Sequence, residues 1–230
     1  MNKSREILNH NGVIILMGLP GSGKGTQAKL VSKKFKIPLI EIGNVLRAIA
    51  EQDTELGNEI EARLANGNLM ENKILAEVIN QQILIEDFTS GFVIEGYPRN
   101  LTQALWFDHW LMERQLKSVA VLLSVRTDII EERLLGRLVC SKCRATENTS
   151  ENPLKSTINK CMVCRGTLMS RPDDNAETIR KRLATYSHST IPVVSFFREQ
   201  GNLIVVDGEP KREIVFENIM DSCQRLFSTW

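Results

Sequence analysis

The chain has 230 residues, 42% hydrophobic and 25% charged, ordinary globular values that exclude collagen-like, disordered and membrane-spanning classes. With 29 basic against 28 acidic side chains, the formal net charge of +1 supplies no global attraction for nucleic acid or an anionic membrane. The opening MNKSREILNHNG lacks the apolar core of a signal peptide, and no window approaches a spanning helix. The expectation is a cytoplasmic protein with no nucleic-acid and no membrane partner.

Apolar runs at 13–18, 38–42, 91–95, 119–125 and 203–206 read as strands. Between them, helical periodicity covers 24–35, 44–51, 56–66, 71–86, 100–116, 127–137, 174–199 and 211–226. This alternation predicts an α/β fold, a parallel sheet covered by helices. Pro38 and Pro98 fall at breaks, whereas Pro192 predicts a kink or an end inside the 174–199 helix.

The first strand feeds Gly18-Leu19-Pro20-Gly21-Ser22-Gly23-Lys24-Gly25-Thr26. A strand, a glycine-rich turn and a helix place backbone N–H groups and the positive helix end around one anion-sized space, which suits nucleotide phosphates. Gly18, Gly21 and Gly23 permit the turn and a close approach, and Lys24 reaches the terminal phosphates as a mobile charge. Gly25 stands where the general pattern G-x-x-x-x-G-K-[ST] has a hydroxyl.

The interval 138–170 is different, with little periodicity and four of the five cysteines. Cys140 and Cys143, then Cys161 and Cys164 after seventeen intervening residues, form a zinc-ribbon pattern. Four thiolates close a tetrahedral zinc site with no open position, so the metal is expected to be structural. Cys223 reads as a buried or partly buried thiol near the end of the last helix.

Three ordered segments carry a family resemblance. Gly18 to Thr26 resembles the G-x-P-G-x-G-K-G-T loop of adenylate kinases and related nucleoside monophosphate kinases, in which glycine normally follows the lysine. Gly91 to Arg99, followed by Gln103-Ala104, resembles their D-G-[FY]-P-R-x-x-x-Q-A block. Asp173-Asp174 with Glu177-Thr178-Ile179 and Arg182-Leu183 resembles D-D-x-x-E-T-[VI]-x-x-R-L. The resemblance covers all but about the first eleven residues, and some bacterial adenylate kinases carry a four-cysteine lid like 138–170.

The resemblance implies a P-loop three-layer core with a parallel five-stranded sheet, formed by 1–41, 72–137 and 171–230. It adds a helical monophosphate-binding insert at 42–71 and a small zinc-ribbon lid at 138–170. The implied reaction is reversible transfer, ATP + AMP = 2 ADP, by a monomer that uses Mg2+ with ATP and structural Zn2+. Catalysis would fall to Lys24, Arg99, Arg133, Arg137, Arg171 and Arg182, because arginine forks hold phosphate oxygens and stay charged in a dry site. Gly21, Ser22, Gly23, Lys24, Gly25, Thr26, Arg133 and Arg137 would hold ATP, the last two sharing one helix face. Ile42, Arg47, Met70, Gly96, Arg99, Gln103, Arg171 and Arg182 would hold AMP. Glu95 would organise the magnesium water shell. Asp173 and Asp174 would hold lid arginines or the ribose, or cap a helix.

Several positions depart from the family pattern. Ile42 replaces Thr or Ser, Asn44 replaces Asp, and Glu95 replaces an aspartate. Leu138 stands where a second arginine is common, and Glu147-Asn148 stand for a Tyr-His pair. These leave two alternatives open: a kinase for another nucleoside monophosphate, and a catalytically impaired nucleotide-binding regulatory protein.

Overall fold

A computed structural model describes residues 12–85, 88, 91–149 and 159–227. The five apolar runs form one parallel sheet in the order β2-β3-β1-β4-β8, built from β1 (Gly12–Gly18), β2 (Leu39–Glu41), β3 (Phe92–Glu95), β4 (Lys117–Ser124) and β8 (Leu203–Asp207). β1 lies at its centre and is buried throughout, because helices cover both faces. Val13, Ile15 and Met17 point to one core with Phe92, Ile94, Phe107 and Phe197. Ile14 and Leu16 point to the other, with Ala28, Val121, Ile219 and Cys223. Alternation along one strand thus builds both hydrophobic layers.

The helices are α1 (Lys24–Phe35), α2 (Ile42–Ala50), α3 (Glu55–Ala65), α4 (Asn72–Ile85), α5 (Leu101–Glu113), α6 (Thr127–Leu135), α7 (Ala176–Thr185), α8 (Ile191–Glu199) and α9 (Arg212–Phe227). Three starts carry side-chain caps: Thr54, Asn100 and Asn175 accept from the N–H of Gly57, Gln103 and Thr178. The cap of α7 is therefore Asn175, not Asp173 or Asp174, whose carboxylates are left for other partners.

Among the boundaries that differ from the sequence expectation, three move residues singled out there. Ile42 opens α2 rather than closing β2, whose pairing with β3 ends at Glu41. The 174–199 stretch is interrupted just before Pro192 rather than at it. A π turn, Tyr186–Thr190, separates α7 from α8, with the Ile191 N–H reaching back to the Tyr186 carbonyl. Pro192 then sits in the first turn of α8, where no N–H is required.

The third difference concerns Arg137. The helix expected to span 127–137 ends at Leu135, so Arg133 and Arg137 do not share a helix face. A Cβ on Gly136 would lie 2.7 Å from Asn148 Oδ1 and 2.8 Å from Thr149 Oγ1, so the chain turns where only glycine fits. Arg137 starts β5 (Arg137–Cys140), the middle strand of an antiparallel sheet completed by β6 (Thr146–Asn148) and β7 (Leu168–Ser170).

The larger core is tied to α5 by aromatic packing. Phe107 is fully buried, with Tyr97 edge-on at 5.3 Å and Trp110 stacked at 5.9 Å between ring centroids. Phe107→Ala is expected to cost about 3–5 kcal/mol, read as a lower denaturant midpoint at unchanged slope.

Candidate active site

The phosphate loop joins β1 to α1 through glycines in left-handed backbone. Gly21 has φ of 86°, and a side chain there would also meet Leu134 Cγ at 2.9 Å. Gly23, with φ of 91°, opens α1 without a side-chain cap. The first-turn amides of α1 therefore face the loop with no protein side chain filling the anion position.

Lys24 Nζ lies 3.3 Å from the Leu19 carbonyl and 3.4 Å from Glu95 Oε1 at the end of β3. Burial lowers the Lys24 ammonium to about 8, with Glu95 opposing and Arg99, Arg182 and Arg137 adding to the fall. Burial pushes the Glu95 carboxyl up, but Lys24, Arg99 and Arg47 outweigh it and hold it below its ordinary value. The pair is charged at neutral pH.

The arginines converge from separate elements. Arg47, on α2, donates to Asn44 Oδ1 at 2.6 Å. Arg99 donates from Nε to the Gly96 carbonyl at 2.8 Å. Arg137 grips Asp174 with two parallel bonds, the Nε to Oδ2 contact being 2.6 Å. Arg182 Nη1 reaches Asp173 Oδ2 and Asp174 Oδ1, both at 3.2 Å. Arg133 donates to the carbonyls of Gly208 and Glu209, both at 3.0 Å. Burial, then Arg137 and Arg47, depress the Arg171 guanidinium to about 10, so it too stays charged.

These groups line one cleft of about 580 Å³, together with Gly21 to Thr26, Glu95 and the segment Cys143 to Asn148. A smaller cavity of about 70 Å³ adjoins it, bounded by Lys24, Gly67, Gly96, Arg99, Arg182 and Tyr186. Asp173 and Asp174 buttress the arginines through the contacts above. Ile42, Met70 and Gln103 line neither space: all three are buried, the first two in the larger core. Both ends of the Gln103 amide are engaged, Oε1 by the Arg99 N–H at 2.8 Å and Nε2 by Asn72 Oδ1 at 2.9 Å. Asn72 was not legible as a site residue, since its partner lies 31 positions away in sequence.

The antiparallel sheet covers the cleft. Arg144, between β5 and β6, forms an ion pair with Glu51 at the end of α2, bridging two segments far apart in sequence. Glu147 accepts from the Met162 N–H at 2.8 Å, and Asn148 donates to the Arg133 carbonyl at 2.7 Å. The two residues that depart from the family's Tyr-His pair thus tie β6 to the second cysteine turn and to α6.

The four cysteine sulfurs lie within 4.8 Å of one another. Cys140 to Cys164 is 3.4 Å and Cys143 to Cys161 is 3.6 Å, close to the edge of about 3.8 Å for a tetrahedron with Zn–S of about 2.3 Å. Both pairs adopt the same turn: Cys140 Sγ accepts from the Lys142 N–H and Cys161 Sγ from the Val163 N–H, each at 3.4 Å. Amide donation to sulfur favours the thiolate, the form a metal needs.

Comparison with known proteins agrees with this geometry. The family model described as adenylate kinase matches residues 16–202. The adenylate kinase of Clostridium botulinum (strain Loch Maree / Type A3) is 37% identical over 208 residues, 90% of this chain and 95% of that protein. The adenylate kinase of Syntrophomonas wolfei subsp. wolfei is 37% identical over 214 residues, 93% of this chain and 99% of that protein. The chain belongs to the adenylate kinase family. It is an enzyme of the nucleoside monophosphate kinase class, a phosphotransferase, and the four-cysteine cluster accompanies the family's α/β core.

Within this family member, the Asp174 side chain is 2% exposed and joins two arginine side chains that are themselves 12% and 20% exposed. Asp174→Ala leaves both guanidinium groups without their shared carboxylate. Unfolding by denaturant should show a loss of about 3 kcal/mol, the lower end for a broken buried pair because the arginines retain some water.

Proposed function

We propose that the cleft carries out in-line transfer of the γ-phosphoryl group of Mg-ATP to AMP, giving two ADP. The observation that carries this reading is the convergence of Lys24, Arg47, Arg99, Arg133, Arg137, Arg171 and Arg182 beside an uncapped helix N-terminus. Such an excess of cations, with few acids between them, is balanced only when polyanions enter.

In this reading Lys24 and the amides of Gly21 to Thr26 hold the donor phosphates, and Arg133 and Arg137 flank the donor. Arg47 and Arg99 orient the acceptor phosphate, while Arg171 and Arg182 neutralise the charge shared by donor and acceptor. In-line positioning and neutralisation, rather than covalent participation, account for the acceleration. The sheet bearing Arg144 acts as the lid and excludes water, the competing acceptor. Magnesium supplies further charge neutralisation at the phosphates. The Glu95 carboxylate at the cleft wall suits its water shell, being ionised and directed at Lys24. The protein works as a cytoplasmic monomer.

A second acceptor has specific support. Ile42 offers no polar group to a base, and Gln103 is already engaged by Asn72 and Arg99. Both points favour testing other monophosphates. Zinc-replete protein should be assayed chromatographically with Mg-ATP and AMP, CMP, UMP or GMP separately, beside Lys24→Met. Rapid ADP formation from AMP, reduced by orders of magnitude in Lys24→Met, supports the reading. Selective use of another monophosphate reassigns the acceptor, and silence across the panel despite ATP binding makes the protein a regulatory nucleotide binder.

We also assign structural zinc to Cys140, Cys143, Cys161 and Cys164, on the sulfur spacing and the amide donors around them. Metal analysis of the folded, reduced protein should give about one zinc per chain. A ratio far below that removes the assignment.

A further inference from the structure

Asn72 opens α4 directly after residues 42–71 and is exposed to solvent. Its Oδ1 accepts two hydrogen bonds, from Gln103 Nε2 at 2.9 Å and from Asn100 Nδ2 at 3.0 Å. Both donors belong to the start of α5, about thirty positions further along the chain. Gln103 is 1% exposed, so its amide must find partners within the protein.

The orientation of every amide in this group follows from two backbone N–H groups, which can only donate. The Arg99 N–H meets one end of the Gln103 amide at 2.8 Å, so that end is the carbonyl oxygen and the NH2 faces Asn72. The Gln103 N–H meets Asn100 at 2.9 Å, so that end is also a carbonyl oxygen and the Asn100 NH2 faces Asn72. Two NH2 groups therefore converge on position 72, and the residue there must present an acceptor. Asparagine or aspartate satisfies both, whereas alanine leaves them to water, which has no fixed direction.

Arg99 is the arginine this network holds. Its N–H is bound by Gln103, its carbonyl accepts from Thr190 Oγ1 at 2.9 Å, and its guanidinium reaches Gly96 across the cleft wall. We infer that Asn72 is a positioning residue of the acceptor site, fixing the Gln103 amide and through it the Arg99 backbone. The inference rests on the reading of Arg99 as an acceptor-phosphate ligand. It ties the end of the 42–71 segment to an arginine of the core, so that acceptor affinity depends on a residue that touches no substrate.

Steady-state kinetics of zinc-replete wild type, Asn72→Ala and Asn72→Asp, with AMP and ATP varied separately, test this. Asn72→Ala should raise the KM for AMP about fivefold, with the KM for ATP within twofold and an unchanged thermal midpoint. Asn72→Asp should restore the AMP constant to within about twofold of wild type, because the carboxylate accepts both hydrogen bonds. The inference is overturned if Asn72→Ala matches wild type, if both KM values rise together, or if Asn72→Asp is as impaired as Asn72→Ala. Should wild type use another monophosphate, the same constants are read with that acceptor. A wild type inactive with every monophosphate overturns both readings, whereas an active wild type with an indifferent Asn72→Ala overturns this one alone.

Discussion

Like charges held out of water repel, and the cleft of this protein gathers Lys24, Arg47, Arg99, Arg137, Arg171 and Arg182 within one partly desolvated space. Lys24, Arg47, Arg99, Arg171 and Arg182 lose hydration, and their cationic neighbours depress them further. The rest of the architecture can be understood as the means of holding that congestion without ligand. Glu95 partners Lys24, while Asp173 and Asp174 take Arg182 and Arg137. Backbone carbonyls receive Arg99 and Arg133. A desolvated cationic site is costly when empty and strongly favourable to a polyanion, and the same physics serves binding and stabilisation of transferring charge.

Such a site needs a rigid base, and the central sheet provides it. β1 is buried on both faces and ends in the phosphate loop, and the neighbouring β3 ends at Glu95 in register with it, Leu16 opposite Glu95. Strand pairing thus fixes the carboxylate, while the loop leaving β1 and the start of α1 bring Lys24 to it. The segment of little periodicity at 138–170 is tied down differently. Among the described residues, the cysteine-bearing sheet has a small apolar cluster of Cys140, Cys161 and Leu168 with Leu138 and Ala145 packed against it. Four converging sulfurs compensate for that small core when a metal joins them.

Three departures from the family pattern, Ile42, Glu147 and Asn148, are met by the structure in two ways. Glu147 and Asn148 are absorbed by new hydrogen bonds that hold β6 in place. Ile42, by contrast, is fully packed in the core, and Gln103, which keeps the family residue, is committed to Asn72 and Arg99. In the proposed reading the acceptor base and the acceptor phosphate are not read independently, because the Gln103 amide holds the Arg99 backbone.

The local chemistry of this protein was legible in its sequence because it depends on short-range order. The Gly18 to Thr26 loop, the apolar runs of the sheet and the two C-x-x-C turns each encode their own geometry within a few residues. Arg137 was misread as helical because Gly136, a helix-end signal, was passed over; the close packing of Asn148 and Thr149 that leaves room only for glycine there is a long-range contact. Pro192 did mark a break inside 174–199, but its form, a π turn that ends at Thr190 before a new helix begins, was not legible. The pairing of Arg144 with Glu51 and the convergence of two amide groups on Asn72 join residues far apart in the chain. Sequence determined which groups could bind phosphate and metal; tertiary structure decided which of them face one another, because hydrogen bonds and charge pairs depend on distance in space and not along the chain.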